Sequence, residues 1–226
     1  MRTDTLAIDL VSLEYCLSGQ YFPAAVADRV VLDLGAHKGY LAVYCLQRGA
    51  RAVLSVEPEA TNHECLASAR VSAAGTWTNV RAAVGAQRGT AVLHISTESW
   101  SHSLMELPSG EPLRSEEVPV VAFRDLLTWC ADSHPGIPVV VKLNVEGAAG
   151  GCSFSVAPDE LRQVEEVLVD VEETTAQHPA EIVAYLRAAG FRQVSAVGPV
   201  RRFLLGASDP GSADVEPDAS VEGRGT

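Results

Sequence analysis

The chain has 226 residues, 47% of them hydrophobic and 20% charged, an ordinary globular composition long enough to bury one substantial core. It holds no run near the ~18 uninterrupted apolar residues of a membrane span, and Asp4 and Asp9 stand where a secretion signal needs a basic start and an apolar run. A cytoplasmic protein with no membrane contact is expected. Seventeen basic against 29 acidic residues leave a net charge of −12, which repels a phosphate backbone and speaks against nucleic acid as a partner, in favour of a small molecule.

The five cysteines form no C-x-x-C pair, so reduced, buried thiols fit better than a disulfide framework or a zinc site. Residues 207–226 carry five acids against one arginine and read as a disordered acidic tail. Lysine occurs only twice, as Lys38 and Lys142, which draws attention to both positions.

In chain order, 6–18 is apolar enough for an amphipathic helix, and 1–28 reads as an N-terminal segment that lids a site or meets a second subunit of a homodimer. The run 29–34 is a buried strand stopping at Gly35, and 39–48 a helix closed by Gly49. A second strand over 52–56 ends at Glu57-Pro58, and a helix follows over 59–73. The spacing predicts a third strand over 77–84, then strands over 90–95 and 118–122 flanking a polar loop at 96–117. A short helix over 123–130 precedes the most strand-like run, 137–145, which ends at Glu146-Gly147. Residues 158–166 read as a helix, 167–171 as a buried strand and 179–189 as a helix. The pair 191–197 and 200–205, separated by Gly198-Pro199, forms a terminal antiparallel hairpin. Alternating strands and helices over 29–206 imply a Rossmann-like, doubly wound α/β sheet, mostly parallel, which binds ligands beyond the carboxyl ends of its strands.

Two of those ends carry nucleotide-site chemistry. Asp33-Leu-Gly35-Ala36-His37-Lys38-Gly39-Tyr40 is a glycine turn into a helix whose free N–H groups favour a negatively charged or carboxylate-bearing ligand. Glu57, at the next strand end, is placed to accept hydrogen bonds from both hydroxyls of a ribose. The alternative is that Gly35 and Gly39 only permit a tight turn while Glu57 caps the following helix. An NAD site is a further reading, but G-x-G-x-x-G lacks its middle glycine here.

Six short patterns follow in one order: D-x-G-A-x-x-G-Y from Asp33, E-P at Glu57-Pro58, the Asn79 to Gly85 segment, Ser103-Leu104, V-P-V-x-x-x-x-D-L-L from Val118, and K-x-x-V-E-G from Lys142. Together they resemble the FkbM-like methyltransferases from about Val30 to Phe191. The resemblance implies a class I methyltransferase fold, S-adenosyl-L-methionine as methyl donor, and O-methylation of a hydroxyl on a sugar or natural product. Carried over position by position, it assigns cofactor contacts to Asp33, Gly35, Ala36, His37, Gly39, Tyr40, Glu57, Pro58, Ala83, Ser103 and Asn144. Two features depart from the family: Asn144 stands where an aspartate is usual, and Gly147-Ala-Ala-Gly-Gly-Cys152 replaces a regular E-G-A-E helix start.

Residues two apart on a strand share a face, so Lys142, Asn144 and Glu146 are expected to point one way. Since the first and fourth strands of a class I sheet are neighbours, Lys142 is expected to pair with Asp33 beneath the cofactor's methionine part. Glu146 is the first candidate for a base acting on an aliphatic hydroxyl and His102 the second; anchoring the backbone at Gly147 is the plainer role for Glu146. An oxygen-rich Mg²⁺ set of Asn144, Glu146 and Glu172 is disfavoured by the neutral Asn144, so no divalent metal is expected. N- or C-methylation on the same fold, and a non-catalytic adenosine-ligand binder, are the competing functions.

Overall fold

The computed structural model describes residues 10, 14, 25–70, 76–97, 99, 101–105, 113–145, 151, 155–171 and 179–206. Glu146 and the glycine-rich stretch after it except Gly151, Trp100, Glu172, the acidic tail, and the expected N-terminal helix except Leu10 and Glu14 lie outside them.

The first strand, β1 (Val30–Leu34), is buried at every position, as a strand covered on both faces must be. A glycine turn leads into α1 (Tyr40–Gln47). Next come β2 (Ala52–Val56), α2 (Ala60–Arg70) and β3 (Thr76–Val80). The run expected as one strand over 77–84 is two: after Val80 the chain leaves the main sheet, and β4 (Ala83–Gly85) pairs elsewhere. An apolar run records burial but not which sheet supplies the partner, so the break at Arg81 had no signature.

With β5 (Gly89–Ile95) and β6 (Arg114–Ala122), β4 forms a three-stranded sheet in the order β4-β6-β5. Ala83, Leu93, Ile95 and Val118 bury its own small core. β6 starts four residues earlier than expected, converting the end of the 96–117 loop into strand, because Arg114 to Glu117 pair antiparallel with β5. Pro119 lies just before the first residue that pairs with β4, where its missing N–H costs no ladder bond on that side.

The chain returns through α3 (Phe123–Ser133) to β7 (Val139–Leu143). This strand ends two residues short of the expected 145, so Asn144 lies past it, although its N–H still donates to the Leu34 carbonyl at 3.1 Å. The helix expected over 158–166 is a single 3₁₀ turn, Pro158–Leu161, and β8 (Val164–Asp170) starts directly after it. Val164, Val167 and Val169 are β-branched and buried, and packing into the sheet prevails over the acidic, helix-like start. α4 (Pro179–Ala188) precedes the hairpin β9 (Phe191–Val197) and β10 (Val200–Leu205), whose bounds match the expectation.

The main sheet runs β3-β2-β1-β7-β8-β10-β9, parallel except where β10 pairs antiparallel with β8 and β9. Helices cover both faces. Val30, Leu32, Leu34 and their neighbours pack under α3 and α4, while Val31, Val53, Trp77 and Val140 pack under α1 and α2. On the second face the next row along is polar, because the in-register partners Asn79, Ser55, Asp33 and Lys142 share it. This row runs beneath the turn that opens α1. No helix among the described residues is long and apolar enough to cross a membrane.

Candidate functional site

The turn after β1 is built from three left-handed residues, Gly35 (φ 73°), His37 (φ 52°) and Gly39 (φ 84°). Gly35 is required twice over, since a Cβ there would strike the carbonyl oxygen of Asn144 as well as strain the backbone. A Cβ on Gly39 would stand 2.9 Å from the Trp77 ring. The Gly35 and Ala36 N–H groups both donate to the Val56 carbonyl at 3.0 Å, locking the turn to the end of β2. Among the described residues no side chain caps α1, and its first turn holds no acid, which leaves an anion-favouring terminus.

Glu57 is 5% exposed and lies against this turn. Its Oε2 accepts the His37 N–H at 2.8 Å, and Oε1 accepts the Glu59 N–H at 3.1 Å. Burial pushes its carboxyl up to about 7, against the opposing pull of the His37 and Glu59 N–H groups, the Asn62 amide and the charge of Lys142. Helix capping falls to Glu59 instead: its Oε2 accepts the Asn62 N–H at 2.7 Å and its Oε1 the Thr61 hydroxyl at 3.0 Å. Burial works against the Glu59 charge, yet these bonds and the nearby His102 bring its carboxyl below the usual range. With α2 capped by Glu59, Glu57 Oε2 is left to the turn, while Oε1 meets the Glu59 N–H and the Asn62 amide.

Below the turn, the ammonium of Lys142 stands 3.4 Å from Asp33 Oδ1 and donates to the carbonyls of Leu34 (3.3 Å) and Gly35 (2.5 Å). Asp33 is fully buried, which raises its carboxyl above the ordinary value, with Lys142 opposing that rise. Apart from that ion pair, neither Asp33 oxygen has a hydrogen-bond partner among the described residues. Asn144 lies at the mouth of the turn with its carbonyl against Gly35, and Tyr40 opens α1 with its ring 6.1 Å from that of His37.

The segment after β5 folds back over the other side of Glu57. Ser103 pairs with His94 through both backbone groups, and its hydroxyl accepts the Met105 N–H at 3.0 Å, so these bonds fasten the segment to β5. His102 Nδ1 accepts the Ser96 N–H at 3.1 Å, which assigns the proton of the neutral ring to Nε2. Burial, with Arg114 and Lys38 nearby, lowers its pKa despite the opposing Glu59 charge. Ser99 reaches the turn: its Oγ is 3.0 Å from His37 Nε2, and its carbonyl accepts the Asn62 Nδ2 hydrogen at 2.7 Å.

The turn residues, Glu57, Lys142 and Asn144 thus converge, and half-buried Pro58 follows Glu57 directly. Ala83 lies apart from this group, its side chain in the core of the small sheet. The sequence reading missed Asn62, Ser99 and Glu59. Glu59 had a signal, an acid three residues ahead of Asn62 at a helix start; Asn62 and Ser99 had none. Among the described residues no group of three or more His, Cys, Asp or Glu side chains could hold a metal ion.

No protein-family model matches the chain, and no curated protein matches it in sequence. Solved structures do match in fold. The crystal structure of methyltransferase FkbM from Methylobacillus flagellatus KT is 11% identical, with a TM-score of 0.50 over 81% of this chain and 45% of that one. Precorrin-6y C5,15-methyltransferase from Geobacter metallireducens GS-15 is 11% identical, with a TM-score of 0.47 over 87% of each chain. Monomeric WbdD is 12% identical, with a TM-score of 0.45 over 90% of this chain and 41% of that one. The chain therefore spans less than half the length of the FkbM and WbdD chains. The strand order, with β1 between β2 and β7, and the likeness to the FkbM structure give this chain an FkbM-like class I methyltransferase fold.

Proposed function

We propose that the protein is an S-adenosyl-L-methionine-dependent methyltransferase acting on a hydroxyl of a small molecule, a natural product or a sugar intermediate. The observation that carries this reading is Glu57: a buried carboxylate at the end of β2, bonded to the turn that opens α1, with the helix cap supplied by another residue. The donor set fits the cofactor. Glu57 suits the ribose hydroxyls, and the N-terminal end of α1 suits a carboxylate. Bound there, the cofactor supplies an electrophilic methyl group on a sulfonium.

The chain's own residues then have three tasks. The Gly35 to Gly39 turn and Glu57 orient the cofactor, and much of the acceleration of an in-line displacement comes from such positioning. The Lys142 ammonium fixes the turn by bonding to the Leu34 and Gly35 carbonyls. A base takes the hydroxyl proton, a role we assign to Glu146, two residues past Asn144. His102, carrying its proton on Nε2, suits donation to an acceptor oxygen better than proton removal.

The test is methyl transfer from S-adenosyl-L-methionine to a panel of hydroxylated, amine-bearing and carbon-nucleophile acceptors, with Glu146→Gln alongside. Transfer to hydroxyls with a loss of about 10²-fold or more in kcat for Glu146→Gln supports the reading. Transfer to amines or carbon alone, or full kcat with unchanged pH dependence in the variant, contradicts the oxygen and base assignments respectively.

A further inference from the structure

Four segments meet in a closed ring of hydrogen bonds around Glu57. The His37 N–H, from the turn after β1, donates to Glu57 Oε2 at 2.8 Å. His37 Nε2 is 3.0 Å from the Ser99 hydroxyl, from the segment after β5. The Ser99 carbonyl accepts from Asn62 Nδ2 at 2.7 Å, and the same nitrogen, from α2, reaches Glu57 Oε1 at 3.5 Å and closes the ring. Asn62, Ser99 and Glu57 are all buried, so these bonds form where water competes least and an unmade bond costs most.

We propose that Asn62 and Ser99 are positioning residues of the nucleoside site, holding the Glu57 carboxylate in the orientation that meets the ribose hydroxyls by tying it to the segment after β5. The inference rests on the S-adenosyl reading above and goes beyond it, since it assigns that segment to the cofactor rather than to the acceptor alone. One nitrogen supplies both Asn62 bonds, so the short bond to Ser99 sets where its second hydrogen points. Docking of the segment and orientation of the carboxylate are therefore linked. A ligand without ribose hydroxyls makes no use of that orientation.

This difference gives a readout that a merely structural role does not move. Wild type, Ser99→Ala and Asn62→Ala are titrated calorimetrically with S-adenosylhomocysteine and with its 2′,3′-dideoxy analogue. Wild type prefers the hydroxylated ligand. Asn62→Ala weakens it about tenfold and Ser99→Ala about threefold, while neither changes the affinity for the dideoxy ligand, so the preference shrinks. Should Asn62→Ala fail to fold, Asn62→Leu, of similar size and without the amide hydrogens, decides in its place, because Ser99→Ala leaves the carbonyl that Asn62 bonds. Equal weakening of both ligands, or an unchanged preference in the folded variants, overturns the positioning role and leaves the methyltransferase reading intact. A wild type that binds neither ligand overturns both.

Discussion

Lys142 and Asp33 are register partners on the neighbouring strands β7 and β1, and their charged groups stand 3.4 Å apart in the core of the sheet. The pair lies directly beneath the turn that opens α1, and the Leu34 and Gly35 carbonyls also accept from the ammonium. Removing the cation alone leaves a buried carboxylate uncompensated, a loss of about 3–5 kcal/mol for such pairs. Lys142→Met is therefore expected to lower stability by about that much near pH 8 and to weaken cofactor binding with it. The loss is smaller at pH 5, where Asp33, already raised by burial, takes up a proton more readily. Urea unfolding at the two pH values checks this; a loss below about 1 kcal/mol at both contradicts it.

With Glu57 on the ribose as proposed, cofactor affinity is expected to depend on pH. With its carboxyl near 7, the charged form that accepts hydroxyl hydrogens is depleted below neutrality. Affinity for S-adenosylhomocysteine should be flat at high pH and fall by up to about tenfold per unit once below the pKa. Binding near pH 7 should release protons, seen as a buffer-dependent enthalpy. Glu57→Gln removes the dependence and lowers affinity about 10- to 100-fold. A pH-independent affinity in wild type contradicts the assignment.

The same group shapes stability without ligand. Its folded pKa lies above its unfolded value of 4.5, so the folded state binds more protons between the two values. Its contribution is fully present below pH 4.5 and is lost as pH rises through about 7. In the free protein, Glu57→Gln should therefore flatten the decline of unfolding free energy across that window. A decline equally steep in the variant assigns it to other groups.

Gly39, in the turn, and Gly136, in the loop after α3, separate two costs of a side chain at a left-handed glycine. Both have left-handed φ, 84° and 71°, but a Cβ meets the Trp77 ring only at Gly39 and nothing within 4 Å at Gly136. Gly136→Ala should cost about 1–2 kcal/mol from backbone strain alone. Gly39→Ala should cost more and change the fluorescence of Trp77, which is buried against it. Equal costs in the two variants contradict close packing of the turn on Trp77.

His102 is expected to be neutral at pH 7, with its proton on Nε2, because Nδ1 accepts the Ser96 N–H and burial lowers its pKa. Nitrogen shifts from ¹⁵N-labelled protein report tautomer and titration together. A ring protonated on Nδ1, or one titrating above 6.5, overturns the donor role.

Much of this arrangement is legible in the sequence where a local period reports it. Asp33 and Lys142 sit on short apolar runs whose order and direction place them side by side, and Gly198-Pro199 marks the hairpin that joins β9 to β10. The turn after β1 is legible because glycine is the residue that left-handed backbone favours. Other features depend on partners far along the chain. The division of 77–84 between two sheets is decided by β6, some 40 residues on. The Asn62 to Ser99 bond joins a helical amide to a loop carbonyl, and neither residue type nor spacing signals it. The 3₁₀ turn at Pro158–Leu161 replaces a longer helix because the following valines are buried in β8.

In the proposed function, the Glu57 site recognises the nucleoside of S-adenosyl-L-methionine. Calorimetric titration of wild type and Glu57→Ala with S-adenosyl-L-methionine, S-adenosylhomocysteine and NAD tests it most directly. Micromolar binding of the two sulfur ligands to wild type, lost in the variant, with NAD far weaker, is the expected result. Binding of NAD alone, or affinity for the sulfur ligands unchanged in Glu57→Ala, contradicts it.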